Sequence, residues 1–211
     1  GNGSSVSDGN GGPATSAGVA IPYDVAADLS GNFYIADPNA GSVRKVTVAG
    51  VISTLASNLN APTGIAIDSA GNIYVAEQGG QRILKVNPLG VVTVIAGTGA
   101  IGFSGDGAAA TAAKLNYPTD VAIGPGNVVF FTDKNNRRVR MVSGGNISTV
   151  AGTGVAGSDG DGGSATSATF QQPAGITVST DGTVYVSDQG AHRIRRFTVG
   201  GLISTYAGNG L

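Results

Sequence analysis

The sequence predicts an all-β fold assembled from four copies of one antiparallel unit. Gly and Pro, the residues that most often interrupt helices and form turns, account for 36 and 8 of the 211 residues, which disfavours long helices. Four segments repeat one pattern, and each begins at a proline: Pro22, Pro62, Pro118 and Pro173. Within each segment apolar residues alternate with small or polar ones, which is the period-two pattern of a strand.

Each unit is predicted to contain four strands in succession. The first strand follows the proline, and a turn pair that tolerates positive φ comes next: Gly31-Asn32, Gly71-Asn72, Gly126-Asn127 or Asp181-Gly182. The second strands read FYIAD, IYVAE, VFFTD and VYVSD. The third strands read SVRKV, RILKV, RVRMV and RIRRF, and the fourth VISTLA, VVTVIA, NISTVA and LISTYA.

A four-stranded meander repeated along a chain predicts the blades of a β-propeller. Within a single domain 1–211, the predicted blades are approximately 19–57, 59–97, 115–152 and 170–208, and the Gly-rich linkers are 1–18, 97–114 and 152–169. Four blades are compatible with a four-bladed ring, with part of a larger ring in a longer chain, or with a ring shared between two copies. Because proteins seldom leave sheet edges bare, we expect closure or a partner.

The repeated string P-x-G/D-[IV]-A-[IV]-D-x-x-G-N-[IV]-Y-V-A-[DE]-x-x-x-x-R-I-R-K-V closely resembles the NHL repeat. The resemblance covers residues 20–208, and the second repeat, 62–86, is near the family pattern. It implies a propeller that binds peptides, RNA or small ligands on one face near the central axis. It also implies structural pairs between the acidic residue that closes the second strand and an Arg five positions later, namely Glu77 with Arg82, Asp133 with Arg138, and Asp188 with Arg193.

The composition excludes several kinds of chemistry. The chain has no Cys and a single His, His192, so it lacks thiolate chemistry and the imidazoles that multi-His metal sites need. A net charge of −1 does not provide the excess positive charge that nucleic-acid binding requires. No apolar run is long enough to insert into a membrane as a helix.

The glycine and acidic motifs of the linkers are interpreted as structural. The strings Gly97-Gly99-Gly102 and Gly152-Gly154-Gly157 follow outer strands instead of joining a parallel strand to a helix, so they do not predict a dinucleotide site. Asp159 and Asp161 are the candidate calcium ligands, but the further oxygen ligands of such a loop are missing, which favours a turn. No catalytic residue and no cofactor other than this calcium is predicted.

Positions that vary between the units are the candidates for ligand binding, because repeats keep their framework and specialise their loops. They follow the starting prolines and the second strands, where Asn39, Gln78 and Gln189 also occur. The predicted binding face comprises Tyr23, Asp24, Thr63, Tyr117, Thr119, Asp120, Gln172, Lys134, Asn135, Arg137 and His192. Aromatic, amide and charged groups of both signs suit hydrogen-bonded recognition of a protein, a peptide or a glycan.

We therefore expect a non-catalytic binding scaffold that is extracellular or at the cell surface. Few Lys and Glu residues, abundant Ser and Thr, and glycosylation triplets at Asn2 and Asn146 favour that location. Two alternatives stay open. One is a structural subunit that assembles with copies of itself through its blade edges, and the other is a propeller lyase or hydrolase with an axial metal.

Overall fold

The computed structural model describes residues 1–210, and the last residue of the predicted domain 1–211 lies outside the described residues. Sixteen strands form four antiparallel sheets, each with four strands in chain order. Blade 1 contains β1 (Asp24–Ala27), β2 (Phe33–Asp37), β3 (Ser42–Val46) and β4 (Ile52–Ala56). Blade 2 contains β5 (Pro62–Ile67), β6 (Ile73–Glu77), β7 (Arg82–Val86) and β8 (Val92–Ala96).

Blades 3 and 4 have the same arrangement. Blade 3 contains β9 (Pro118–Gly124), β10 (Val128–Asp133), β11 (Arg138–Ser143) and β12 (Asn146–Ala151). Blade 4 contains β13 (Pro173–Val178), β14 (Val184–Asp188), β15 (Arg193–Phe197) and β16 (Ile203–Ala207). The fold is therefore the predicted all-β propeller architecture of four-stranded blades. No helix within residues 1–210 is long and apolar enough to cross a membrane.

Short side-chain-capped turns give each blade its meander. Between β1 and β2, the Asp28 carboxylate accepts the backbone N–H groups of Ser30 and Asn32, both at 2.9 Å. Gly31 lies in this turn at φ +82°, a conformation that an L side chain would strain. The hydrogen bonds from the turn also hold the pKa of Asp28 below its usual value, with the Asn32 side-chain amide as the main cause.

Apolar residues on facing blades form three cores, one for each pair of neighbours. The core of blades 1 and 2 includes Tyr34, Val43, Ile73 and Val75. The core of blades 2 and 3 includes Tyr74, Ile83, Val129 and Phe131. The core of blades 3 and 4 includes Phe130, Val150, Val184 and Phe197. Successive residues of each second strand thus pack on opposite neighbours, which follows from the alternation of side chains along a strand.

The three Gly-rich linkers lie along the outer strand of the blade that follows them. The N–H groups of Gly11, Gly107 and Gly162 donate to the carbonyl oxygens of Ile52, Ile147 and Ile203, each at 2.8 Å. Each linker also contains one 3₁₀ turn, Ala14–Ser16, Ala110–Ala112 or Ala165–Ser167. The linkers are therefore ordered parts of the blades.

A buried arginine in the third strand anchors each linker. Arg44, Arg140 and Arg195 are at most 1% exposed. Their Nη2 atoms donate to the carbonyl oxygens of linker residues Asp8, Ser104 and Asp159, at 2.8, 3.0 and 3.3 Å. The same Nη2 atoms contact side-chain oxygens of Asn10, Asp106 and Asp161, at 3.0, 2.8 and 2.8 Å.

Blade 2 shows that arginine and linker occur together. No Gly-rich linker precedes this blade, and the register of β6 with β7 places Leu84 where the other blades have the buried arginine. Leu84 is 1% exposed and packs in the core between blades 1 and 2. The cation is thus present only where linker oxygens are there to receive it.

The acid–arginine pairs form differently from the prediction in two of three blades. In blade 2 the pair is present, with Arg82 Nη2 2.6 Å from Glu77 Oε2. In blade 3, Asp133 pairs with Arg140 at 3.2 Å instead of with Arg138. The guanidinium of Arg138 lies 3.8 Å from the ring centroid of Phe103 in the second linker.

Blade 4 also differs from the predicted pairing of Asp188 with Arg193. The Asp188 carboxylate accepts the N–H groups of Gln171 and Gln172, and Arg193 donates to the carbonyl of Ser158 at 3.2 Å. Two causes account for the difference. The Glu77 side chain is one methylene longer than aspartate, and linker residues attract the arginines of blades 3 and 4: the Phe103 ring contacts Arg138, and the Ser158 carbonyl accepts from Arg193.

We predict that Arg140→Leu, which copies the residue of blade 2, lowers the free energy of unfolding by about 3 kcal/mol, because it leaves the buried carboxylate of Asp133 without its cation. Urea denaturation at pH 7 measures the change. Arg196→Leu is the matched control, since Arg196 is exposed on a third strand and should cost within about 0.5 kcal/mol. Equal losses in the two variants would contradict the anchoring role of Arg140.

Candidate functional site

Residues from all four blades line a pocket of about 200 Å³ at the start of the inner strands. We call it the axial pocket. Its lining consists of Tyr23, Asp24, Gly64, Thr119, Asp120, Lys134, Ala174, Gly175 and Gln189. The inner strands β1, β5, β9 and β13 contact one another in succession, so the residues that follow the starting prolines converge. Lys134 and Gln189 come from the loops after the second strands β10 and β14.

Two aspartates tie the inner strands together from inside the pocket. Asp24 accepts the N–H of Val25 at 2.8 Å with one oxygen and the N–H of Ile65 in blade 2 at 2.8 Å with the other. Asp120 repeats the arrangement with Val121 at 2.8 Å and Ile176 in blade 4 at 2.7 Å. Each carboxylate therefore bridges one blade to the next through charge-assisted hydrogen bonds.

Glycine alternates with aspartate at this position around the pocket. The four equivalent residues are Asp24, Gly64, Asp120 and Gly175. A Cβ atom on Gly64 would lie 2.4 Å from Cα of Asp120, so blades 2 and 3 can approach this closely only if residue 64 lacks a side chain. The glycine at position 64 is thus a packing requirement, whereas a Cβ atom on Gly175 would meet the Ser187 hydroxyl at 3.0 Å and the Asp120 carboxylate at 3.7 Å.

Threonine hydroxyls supply further bonds between the blades. Thr63 Oγ1 donates to the carbonyl of Thr119 at 2.8 Å, and Thr132 Oγ1 donates to the carbonyl of Ala174 at 2.8 Å. Thr63 and Thr119 are only 2% and 6% exposed. Thr63 therefore lies below the binding face that the sequence analysis assigned to it, whereas Thr119 contributes to the pocket wall.

The electrostatics of the pocket centre on Asp120. Burial raises the pKa of Asp120 to about 6, and the nearby charge of Asp24 acts in the same direction. The backbone N–H groups of Ile176 and Val121 oppose the rise because they stabilise the ionised carboxylate. Tyr23 stands at the rim with 62% of its surface exposed.

The structure brings five of the predicted face residues into one pocket: Tyr23, Asp24, Thr119, Asp120 and Lys134. Glycine and alanine at 64, 174 and 175 complete the wall, and their lack of functional groups gave no chemical signal in the sequence. A second cavity, of about 380 Å³, lies beside Tyr23 and includes His192.

Four other predicted residues lie outside both cavities. The N–H of Tyr117 donates to Gln81 Oε1 at 2.6 Å, and the Asn135 side chain donates to Asn116 at 3.3 Å. Arg137 ends a 3₁₀ turn at φ +51°, and the N–H of Gln172 donates to Asp188. These residues shape the loops around the pocket.

The candidate calcium ligands are engaged with the protein itself. Asp161 forms an ion pair with Arg195 at 2.8 Å, and the carbonyl of Asp159 accepts from the same guanidinium. Among residues 1–210, no three or more His, Asp or Glu side chains form a group that could hold a metal ion. The asparagines of both glycosylation triplets, Asn2 and Asn146, are exposed.

We predict that Asp120→Asn changes how stability depends on pH. The folded state holds the Asp120 proton more tightly than the unfolded chain does, so this group makes stability fall as pH rises from about 4 to about 6. Asp120→Asn should reduce this pH-dependent decrease in the free energy of unfolding by at most about 3 kcal/mol, because one pKa unit corresponds to 1.36 kcal/mol. Urea denaturation between pH 4 and 7 measures the slope.

The difference between the wild type and Asp120→Asn reports on the Asp120 carboxylate alone. Burial also raises the pKa of Asp133 to about 6, but this residue is present in both proteins and its effect cancels. Parallel stability curves for the wild type and the variant across this pH range would refute the assignment of a raised pKa to Asp120.

Comparisons with known proteins agree with the repeats and the fold. The family model of the teneurin NHL domain matches residues 144–210, which hold β12, the third linker and blade 4. No curated protein matches the sequence.

Solved structures extend the similarity to most of the chain. An auxiliary nutrient binding protein from Bacteroides thetaiotaomicron is 19% identical, with a TM-score of 0.69, over 87% of this chain and 47% of that one. Virginiamycin B lyase from Staphylococcus aureus is 21% identical, with a TM-score of 0.63, over 86% of this chain and 54% of that one. A chain of a nidogen/laminin complex is 14% identical, with a TM-score of 0.64, over 88% and 67%. The chain thus spans about half the length of the first two, and these identities establish the fold alone.

Proposed function

We propose that this β-propeller, whose residues 144–210 match the teneurin NHL domain, is a non-catalytic binding module whose ligand enters the axial pocket. The observation that carries the proposal is the convergence of all four blades on that pocket. A concave site with a few polar groups at the centre of a rigid repeat scaffold is the usual form of a ligand site.

The chemistry of the pocket favours a peptide that carries a basic side chain. Asp24 and Asp120 lie close enough for the charge of one to raise the pKa of the other, and a ligand cation would relieve that repulsion. The exposed ring of Tyr23 adds a surface on which a guanidinium can stack. Lys134 and Gln189 supply donors for the carbonyl oxygens of the peptide backbone.

Two of the similar structures are consistent with a binding role. One is described as a nutrient binding protein, and another was solved as part of a nidogen/laminin complex. We place the module outside the cell or at its surface, on the composition and on the exposure of both glycosylation asparagines.

The probe for the proposal is the peptide acetyl-Gly-Arg-Gly-amide, titrated into the ¹⁵N-labelled protein at pH 7.5. We expect chemical-shift changes centred on Tyr23, Asp120 and Gln189, and an affinity that falls several-fold at pH 5 as Asp120 takes up a proton. Asp120→Asn should weaken binding at pH 7.5 about tenfold, equivalent to about 1.4 kcal/mol.

Asp181→Asn is the matched control. It removes the same charge from the β13–β14 turn, at the far end of the inner strand from the pocket, and should leave binding unchanged. Equal binding of acetyl-Gly-Glu-Gly-amide would argue against a basic ligand. The glycan maltohexaose is titrated in the same way. If neither the peptide nor maltohexaose changes the chemical shifts of the pocket residues, the site is refuted.

A further inference from the structure

The blades differ in what covers the outer edge of their fourth strand. In blades 1, 3 and 4 a Gly-rich linker lies along that edge and bonds to both main-chain groups of one isoleucine. The N–H groups of Ile52, Ile147 and Ile203 donate to linker carbonyls at 3.1, 3.0 and 2.9 Å, and their carbonyls accept from the linker at 2.8 Å. Blade 2 follows the short connector 57–61 instead of such a linker.

Val92 is the equivalent residue of β8, and its main-chain groups lack this partner. Across the β7–β8 turn, the N–H of Asn87 donates to the carbonyl of Val91 at 3.0 Å. Because main-chain groups of successive strand residues point to opposite sides, those of Val92 point away from β7. No segment within residues 1–210 forms the linker hydrogen bonds with Val92. Blade 2 thus has a neighbouring blade on each side, and the outer edge of β8 is nevertheless unpaired.

The side chains along this edge are exposed as well. Val92 is 39% exposed, Val91 is 57% exposed, and Leu89 in the preceding turn is 88% exposed. The equivalents of Val92 in the other blades are at most 1% exposed and share their cores with linker alanines: Ile52, Ile147 and Ile203. A linker therefore buries the residue that blade 2 leaves open.

The uncovered strand is the most apolar of the four outer strands. It reads VTVIA, whereas β4, β12 and β16 read ISTLA, NISTVA and ISTYA. Strand edges that face water usually carry charged residues or proline, since these prevent pairing with another strand. Residues 92–96 contain no charged residue and no proline. The edge of β8 is therefore suited to pairing.

Blade 2 also lacks the polar groups that receive a linker. In blade 3, Thr149 Oγ1 and Arg140 Nη2 both donate to the Asp106 carboxylate of the linker, each at 2.8 Å. The register of β7 with β8 places Leu84 and Val94 at the positions of this arginine and threonine. Apolar side chains thus replace the groups that bind a carboxylate, and the edge favours an apolar partner.

From these observations we infer that the outer edge of β8 binds an extended apolar segment of a partner protein, which adds to blade 2 as a fifth strand. Main-chain hydrogen bonds with Val92 and Val94 hold the segment, and its alternate side chains pack on the valines. The edge lies at the outer strand of its blade, whereas the axial pocket lies at the inner strands. The inference goes beyond the binding function proposed above and does not depend on it.

The probe is the uncharged peptide acetyl-Ser-Val-Thr-Val-Thr-Ser-amide, titrated into the ¹⁵N-labelled protein at pH 7.5. It should shift the amide signals of Val92 and Val94 and slow the hydrogen exchange of the Val92 N–H. The signals of Tyr23 and Asp120 should not move, which separates this contact from binding in the axial pocket. Aspartate in place of both peptide valines should weaken binding about tenfold, because Leu84 offers no cation.

Val92→Pro tests the main-chain contact. It removes the outward N–H and should weaken binding about tenfold, since a hydrogen bond to the peptide is lost. Proline is tolerated on an edge strand where the N–H faces solvent. Val92→Thr is the matched control, because it keeps the N–H and the branched shape, and its affinity should stay within about threefold of the wild type. If Val92→Pro unfolds, N-methylation of the four central peptide residues makes the same comparison and should weaken binding equally.

Three results would overturn the inference. The first is a pattern of chemical-shift changes that leaves Val92 and Val94 unaffected. The second is equal affinity of the peptide and its N-methylated form. The third comes from light scattering of the protein without peptide, which should give 20.6 kDa. A dimer that Val92→Pro dissociates would assign the edge to a second copy of this chain.

Discussion

The structure depends on one constraint: a four-stranded blade has two apolar faces, and neither can be buried within the blade itself. Tyr34 and Ile35 are adjacent in sequence, yet they point to opposite sides of their sheet and need different partners. Three interfaces between blades meet this need inside the chain. In blade 1 the first linker packs against Ile35, Val46 and Ile52, and Val25 is exposed.

The buried arginines show how a chain with few charged residues uses some of them in its interior. A buried guanidinium must be surrounded by acceptors, and a linker made of glycine and small residues brings its carbonyl oxygens close enough to supply them. Arg195 accordingly contacts Asp161 and the carbonyl of Asp159, the acidic run that had suggested calcium. The guanidinium of Arg195 thus supplies positive charge to this loop. Leu84 replaces the arginine in the blade without such a linker. The buried arginine and the Gly-rich linker therefore form one structural unit.

In the axial pocket the same two carboxylates link the inner strands and line the candidate binding site. Asp24 and Asp120 bond to neighbouring inner strands, and those bonds also hold them near each other in a partly desolvated site. Proximity and burial make Asp120 a weaker acid than an exposed aspartate. Positions 63 and 119 are both threonine, where blades 1 and 4 have Tyr23 and Ala174, and their hydroxyls link neighbouring blades. Variation between repeats therefore reflects the closing of the blades on one another as well as ligand recognition.

The sequence by itself determined the strands, the turns and the blades, because these depend on local periodicity: alternating apolar residues, glycine pairs that accept positive φ, and a proline at the start of each unit. It also located five residues of the pocket, since equivalent positions in a propeller converge on its axis. Only the tertiary structure decided which arginine Asp133 would pair with, because Arg138 and Arg140 share one face of a strand and the linker holding Phe103 draws Arg138 away.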